Sequence, residues 1–218
     1  MSSTVLLAVA FVIGVWWLST ALTLRLVWSP ARHFRALFAA GGAGGRASLL
    51  GAHGGAARPG VAGAYVGFVS AIGVWGWHEL SFLLGVVTGP RRSPCPATKS
   101  LGRRFLLATS TVIHHEVALA ATAVVLVAAT WGQPNQVGVQ TFLVLWVMRV
   151  SAKLNVFLGV RNLAEDFVPA HLTYLCSYFR RDRRLNALMP FCLAGGAWAI
   201  WRAALAASVH DAASASSS

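Results

Sequence analysis

Charged residues are scarce in this chain, and acidic residues are the scarcest. Charged residues make up 11% of the 218 residues, and only 6 are Asp or Glu. A typical soluble domain carries about 25% charged residues, so the composition excludes an ordinary soluble domain. The 3 cysteines, Cys95, Cys176 and Cys192, have no paired metal-ligand spacing, and we expect them to be free thiols.

Apolar residues are abundant and fall in long blocks. The chain is 56% hydrophobic, and about 20 apolar residues suffice to cross a bilayer as a helix. This pattern predicts an all-α, polytopic membrane helix bundle with spans near residues 5–27, 37–57, 61–87, 105–130, 139–160 and 187–207. The first span is too long for a signal peptide, so we expect a retained anchor. We expect one membrane-embedded domain over residues 1–211 and a disordered tail over residues 212–218.

The second span is the least apolar of the six. Residues 37–57 are rich in Gly and Ala and include Arg46 and His53, so hydropathy alone predicts a flexible loop. The strongly basic connections 28–36, 88–104 and 161–185 lie on one side only if this stretch crosses. Because Lys and Arg favour the cytoplasmic side, we predict six crossings with both termini periplasmic. A re-entrant segment is the alternative.

The connection 161–185 combines helical periodicity with charge. Val168, Leu172, Leu175 and Phe179 recur at helical spacing, which predicts a short cytoplasmic interfacial helix. The predicted partner or lipid surface consists of Arg161, Asn162, Glu165, Arg180, Arg181, Arg183 and Arg184. The net charge of +12 has no folded basic module with it, so we expect membrane lipids as partners and no nucleic acid.

Charged and histidine side chains recur inside three predicted spans. They are His78, Glu79, His114, His115, Glu116, Arg149, Lys153 and Asn155. Each charge at the centre of a membrane helix costs about 2.5–3.5 kcal/mol on insertion scales, so these groups need partners. We therefore predict a buried polar core between the third, fourth and fifth spans. Similar depth suggests the pairs Glu116–Arg149 and Glu79–Lys153.

Several roles fit this polar core. One is a purely structural ion-pair network that holds the bundle together without a ligand or a reaction. Alternatively, His114 or His115 would ligate the magnesium of a chlorophyll-type pigment. Ser110 and Thr111 lie one turn before these histidines and would let a flat macrocycle approach. A transition-metal site lacks the Glu-x-x-His spacing of di-iron bundles, so we predict no metal site. A proton path is a further alternative.

Three strings resemble those of the PuhE-type photosynthetic complex assembly proteins of purple and related phototrophic bacteria. They are WGWHELSFLLGVVTGPRR (75–92), IHHEVALAATAVVLVAATWGQPNQVG (113–138) and LWVMRVSAKLNVFLGVRNL (145–163). The resemblance to this family covers about residues 61–190. The resemblance implies a multi-pass protein of the bacterial inner, or intracytoplasmic, membrane. It implies an assembly factor for the photosynthetic reaction centre and core light-harvesting complex.

The same resemblance implies the partners and the cofactor. The partners would be reaction-centre and antenna subunits or their assembly intermediates, and bacteriochlorophyll is the cofactor candidate. The family supplies no catalytic residue, so we assign none. The alternatives are a stable accessory subunit of the complex and a membrane enzyme that acts on a pigment or lipid.

Overall fold

The computed structural model describes residues 3–98, 100–160, 165–180, 186 and 188–216. These residues form α-helices and 3-10 helices without a strand, which confirms the predicted all-α class. The α-helices are α1 (Ser3–Val27), α2 (Phe34–Ala56), α3 (Gly60–Leu83), α4 (Leu101–Thr130), α5 (Val137–Phe157) and α6 (Leu188–Ser216). The 3-10 helices are Ala31–His33, Glu165–Phe167 and Ala170–Tyr178.

Within the described part of the chain, four helices are long and apolar enough to cross a membrane. These stretches are Val5–Val27, Gly60–Leu83, Leu101–Thr130 and Val137–Phe157. They correspond to the first, third, fourth and fifth predicted spans. The crossings by α2 and α6 stay predictions.

Helix α2 is continuous over 23 residues, so the flexible loop that hydropathy alone predicts is wrong. Its glycines serve close packing against α3. A Cβ on Gly45 would lie 2.9 Å from the Trp77 indole, and a Cβ on Gly55 would lie 2.8 Å from the backbone nitrogen of Gly67. Glycine weakens a helix in isolation, but here it lets the two helix backbones approach each other.

The uncharged turn between α4 and α5 is joined to the turn between α2 and α3. The backbone N–H of Asn135 donates to the carbonyl of Ala56 (3.1 Å), and its side-chain amide donates to the carbonyl of Gly60 (3.2 Å). The Asn135 Oδ1 also accepts from the N–H of Val137, at the start of α5 (3.1 Å). One asparagine therefore sets the register of three helices at this end.

An apolar cluster lies between α2, α3, α4 and α5. Trp75 of α3 meets Phe142 of α5 edge to face, with their ring centroids 5.7 Å apart. The buried members are Ala52, Ala71, Val74, Trp75, Leu119, Ala123, Leu126, Val139 and Phe142. In lipid such side chains stabilise the bundle by close packing rather than by removal from water.

The chain divides into two compact units. The first comprises Met1–Arg149 with Ala164–Tyr178, and the second comprises Val150–Leu163 with Phe179–Ser218. In the second unit, the amide of Asn186 donates to the carbonyl of Asn155 (3.3 Å). Residues 212–216, for which composition predicts disorder, are the last residues of α6, and residues 217–218 lie outside the described part. The predicted domain boundary stays a prediction.

The segment with the predicted interfacial helix forms two short 3-10 helices, Glu165–Phe167 and Ala170–Tyr178, rather than one α-helix, and its position at a membrane interface stays a prediction. Two arginines hold the second of these at its end. Arg104 Nε donates to the Tyr178 carbonyl (2.9 Å), and Arg91 Nε donates to the Tyr178 hydroxyl (2.6 Å). Tyr178 is buried, and these contacts with other residues of the first unit hold the 3-10 helix in place. The spacing of apolar residues along the sequence carries no information about these contacts.

Candidate functional site

An ion pair between α3 and α5 is the centre of the candidate site. Arg149 Nη2 lies 2.7 Å from Glu79 Oε2, and the side chains are 31% and 13% exposed. A charge on a membrane helix is tolerated where a partner and the protein interior replace water. Loss of one partner from such a pair leaves an uncompensated charge, which costs about 3–5 kcal/mol in buried cases.

His115 of α4 lies directly beside this pair and is fully buried. Its Nε2 is 3.9 Å from Glu79 Oε1, which is longer than a hydrogen bond. The ring of Phe82 lies 4.7 Å from the imidazole of His115, centroid to centroid, and 6.0 Å from the Cζ atom of Arg149. Phe82 therefore lies against both the histidine and the guanidinium.

His78 occupies the neighbouring position on the same inner surface. Its Nε2 is hydrogen-bonded to the Thr122 hydroxyl of α4 (2.9 Å). The rings of His78 and His115 meet edge to face, with their centroids 6.3 Å apart. His78 is buried, so Thr122 supplies the polar contact that an interior imidazole requires.

The chain that follows α3 turns back into the bundle and reaches the middle of α4. The turn begins at Gly85, whose φ of +74° favours glycine. The N–H of His115 donates to the carbonyl of Thr88 (3.0 Å), and the N–H of Arg91 donates to the carbonyl of Ser110 (3.3 Å). A Cβ on Gly89 would collide with the α4 backbone. The segment is therefore packed directly against α4.

This inserted segment changes the interpretation of two sequence features. The third span ends at Leu83, four residues before its predicted end at residue 87, because the chain turns at Gly85. The backbone of Gly89 packs closely against the α4 backbone at Ser110 and Thr111, the small residues one turn before the histidines. We name His78, Glu79, Phe82, Thr88, His115, Thr122 and Arg149 the inner polar cluster.

Three consecutive residues of α4 face three directions, as a rotation of about 100° per residue requires. His114 is exposed on the outer face of the bundle, whereas His115 is buried within it. Glu116 is half-buried, and its Oε2 accepts a long hydrogen bond from Trp146 Nε1 of α5 (3.4 Å). Only His115 of the three belongs to the inner polar cluster.

The structure pairs these charges differently from the pairing by depth. Glu79, for which depth favoured Lys153, forms an ion pair with Arg149, which depth had assigned to Glu116. Depth along a helix does not specify the face on which a side chain lies, and the pairing depends on the face. Lys153 and Asn155 belong to the second unit, where the amide of Asn155 donates to the carbonyl of Ser151 (2.9 Å).

The predicted partner or lipid surface is described only in part. Glu165 is half-buried in the first 3-10 turn after α5, and Arg180 is exposed. The remaining predicted residues, Arg161, Asn162, Arg181, Arg183 and Arg184, lie outside the described residues.

Sequence reasoning missed three residues of the inner polar cluster. Phe82, Thr88 and Thr122 carry no charge, so the search for intramembrane charge passed over them. For Thr88 and Thr122 the available signal was weak, namely a hydroxyl within an apolar stretch, and Phe82 gave no signal. Among the described residues, no group of three or more His, Cys, Asp or Glu side chains is arranged to hold a metal ion.

These features define the class of the protein: an all-helical protein with membrane-compatible spans and an internal ion pair. Its sequence matches a family described as "Protein of unknown function (DUF3623)" over residues 1–217, and the chain belongs to that family. A relative from Rhodobacter capsulatus is 39% identical over 195 residues, which cover 85% of this chain and 71% of the relative. That relative is named "Uncharacterized 30.4 kDa protein in puhA 5'region". No solved structure matches the chain.

Proposed function

We propose that this protein is a PuhE-type assembly factor for the photosynthetic reaction centre and core light-harvesting complex. The observation that carries the proposal is the R. capsulatus relative, whose name gives its position in the puhA 5′ region. Its similarity extends over 85% of this chain, so it includes the helices that form the inner polar cluster. The three strings quoted from the sequence support the same assignment.

The inner polar cluster supports a binding protein rather than an enzyme. Its ion pair joins α3 to α5, and its histidines contact α3 and α4 side chains. The fully buried His115 lies against Phe82 and the Thr88 backbone, so a substrate would have to displace packed groups to reach it. The cluster therefore fixes the mutual position of three helices, whose outer faces would bind partner helices in lipid.

Bacteriochlorophyll handling is a second part of the proposal, and the structure favours His114 over His115 for it. An axial imidazole must present a free nitrogen to a planar macrocycle, and the exposed His114 is open to such an approach. His115 is fully buried beside Glu79. A purified protein with a bacteriochlorophyll absorption band that is lost in His114→Ala and kept in His115→Gln would support this assignment. A colourless purified protein would refute pigment handling.

The proposed topology has six crossings in the bacterial inner, or intracytoplasmic, membrane, with both termini periplasmic. The continuous α2 supports this topology, because 23 residues at 1.5 Å each extend about 35 Å, enough to cross a hydrocarbon core. Alkaline phosphatase fused after Ala56 tests it directly, since the fusion is active only in the periplasm. Activity there supports the crossing by α2, and inactivity supports a re-entrant α2.

Deletion of the gene in its phototrophic host tests the assembly function. We expect normal synthesis of reaction-centre and antenna subunits, little assembled complex in membrane absorption spectra, and recovery with the plasmid-borne gene. Normal amounts of complex in the deletion strain would refute the proposal. Co-purification only with immature particles supports an assembly factor, whereas a fixed ratio in finished complexes identifies an accessory subunit. A changed pigment or lipid composition would instead indicate an enzyme.

A further inference from the structure

Arg46 is a charged residue at the middle of α2, and within the described part of the chain it has no ion pair and no hydrogen bond. It lies between Phe34 and Ala56, the ends of α2, at about 18 Å and 15 Å from them. In a crossing α2 this position is the centre of the hydrocarbon core, which is about 30 Å thick. Long basic side chains reach the headgroups from positions near helix ends, and Arg46 is far from both.

The face of α2 that carries Arg46 differs from the outward face of α1. Leu50 is the only large apolar side chain exposed on α2, which is described in full, whereas α1 exposes many, among them Ile13 and Leu18. Alanines surround the arginine instead. We define the outer face of α2 as the exposed residues Ala39, Ala40, Ala43, Arg46, Ala47 and Leu50. Their spacing of three and four residues is typical of a helix that packs along a neighbouring helix.

The acidic residues of the chain do not provide a partner for Arg46 at its depth. Of the 6 acidic residues, only Glu79 and Glu116 lie within the predicted spans. Glu79 forms an ion pair with Arg149, and Glu116 accepts from Trp146. Because a charge inside a membrane requires a partner, an acid at the depth of Arg46 has to come from another molecule.

We propose that the outer face of α2 binds one transmembrane helix of a partner protein, and that this helix carries an aspartate or glutamate at the depth of Arg46. The planar guanidinium can donate two parallel hydrogen bonds to a carboxylate, and the alanines let the partner backbone come close. An acyl chain has no group that complements the arginine. A symmetric second copy would bring two Arg46 side chains together, and like charges repel. The inference rests on the proposed assembly function and on the proposed crossing by α2, and it specifies a partner surface.

Photocrosslinking in intact membranes tests this face with a matched control. A photoreactive phenylalanine analogue replaces either Leu50, one turn after Arg46 on the outer face of α2, or Leu18 on α1. The two leucines are 75% and 73% exposed, so exposure alone predicts equal yields. From Leu50 we expect an adduct with a membrane-spanning segment that contains an acidic residue, identified by mass spectrometry, and from Leu18 we expect lipid adducts. Lipid adducts alone from Leu50, adducts with a second copy, or a segment without an acidic residue would overturn the proposal.

Charge variants then test the role of Arg46 itself. Arg46→Gln should lower the yield of the Leu50 adduct about tenfold, because a hydrogen bond between charged groups contributes about that factor to an affinity. Arg35→Gln removes the same charge near the start of α2 and should leave the yield unchanged. Arg46→Glu should abolish the adduct, and replacement of the partner's acidic residue by arginine should restore it. A full yield in Arg46→Gln would overturn the proposal.

The assembly function, the crossing by α2 and this partner surface can fail separately. If deletion of the gene prevents complex formation while Arg46→Gln assembles the complex normally and keeps the adduct, the surface proposal is wrong and the assembly function stands. If deletion leaves the complex intact while the Leu50 adduct forms and depends on Arg46, the surface binds a helix in another process. An inactive phosphatase fusion after Ala56 would remove Arg46 from the membrane centre and overturn the inference, whatever the deletion shows.

Discussion

The ion pair between Glu79 and Arg149 should be strongly coupled in the free energy of unfolding. Glu79→Gln leaves the guanidinium without its partner 2.7 Å away, and Arg149→Met leaves the carboxylate alone. Loss of one partner from a buried pair costs about 3–5 kcal/mol. Because the arginine side chain is 31% exposed, we expect the lower end, about 3 kcal/mol for each single variant.

The double variant distinguishes a pair from two independent residues. With both charges removed, the remaining cost should be no greater than that of one single variant, whereas additivity would give about 6 kcal/mol. Methionine keeps the unbranched stem near Phe82, so the change removes mainly charge. Double-mutant coupling of about 3 kcal/mol is therefore expected.

Thermal unfolding of the purified protein in detergent measures this coupling through the fluorescence of its 9 tryptophans. For a chain of this size 1 kcal/mol corresponds to about 2–4 °C in Tm, so each single variant should lose about 6–12 °C. Arg46→Met is the matched control, since Arg46 lies exposed on α2 and should combine additively with Glu79→Gln. A Glu79–Arg149 coupling below about 0.5 kcal/mol, within ordinary additivity, would refute the reasoning.

Three further variants test the packing, with the same Tm assay. Gly45→Ala should cost about 1–3 kcal/mol because its Cβ would meet an indole of α3 at 2.9 Å, whereas Gly44→Ala has open space and should be neutral or slightly stabilising. Thr122→Val should cost about 1–3 kcal/mol by leaving a buried histidine of α3 without its hydroxyl partner, and replacement by Ser should restore most of it. His115→Ala should cost about 2–4 kcal/mol, whereas His114→Ala, on the exposed face, should change Tm little; equal effects would contradict the inward and outward assignment.

The sequence was sufficient to predict that opposite charges from different helices meet inside the bundle. Charge is costly in lipid whatever the fold, so Glu79 and Arg149 had to find partners. The identity of the partner was not predictable, because it depends on how each helix is rotated. That rotation is set by packing such as the contact between Gly45 and Trp77, which involves residues distant in sequence.

The segment after α3 shows a second limit. Gly85 lies in the predicted third span and Thr88 and Gly89 in the predicted connection 88–104, and the sequence contains nothing to show that this connection re-enters the bundle. The contact with α4 depends on two backbone hydrogen bonds and on a glycine without a side chain. In contrast, the prediction that α2 crosses as a helix used the distribution of basic connections over the whole chain. A hydropathy average over a local window takes no account of that distribution.

A charge exchange in the native host tests the central claim most directly, because it connects the internal ion pair with the proposed assembly of the photosynthetic complex. Membrane absorption spectra would be compared for Glu79→Arg, for Arg149→Glu and for the protein that carries both changes. The account predicts little assembled complex with either single reversal and substantial recovery when both are combined. Normal complex levels in the single variants, or a double variant as defective as the singles, would contradict it.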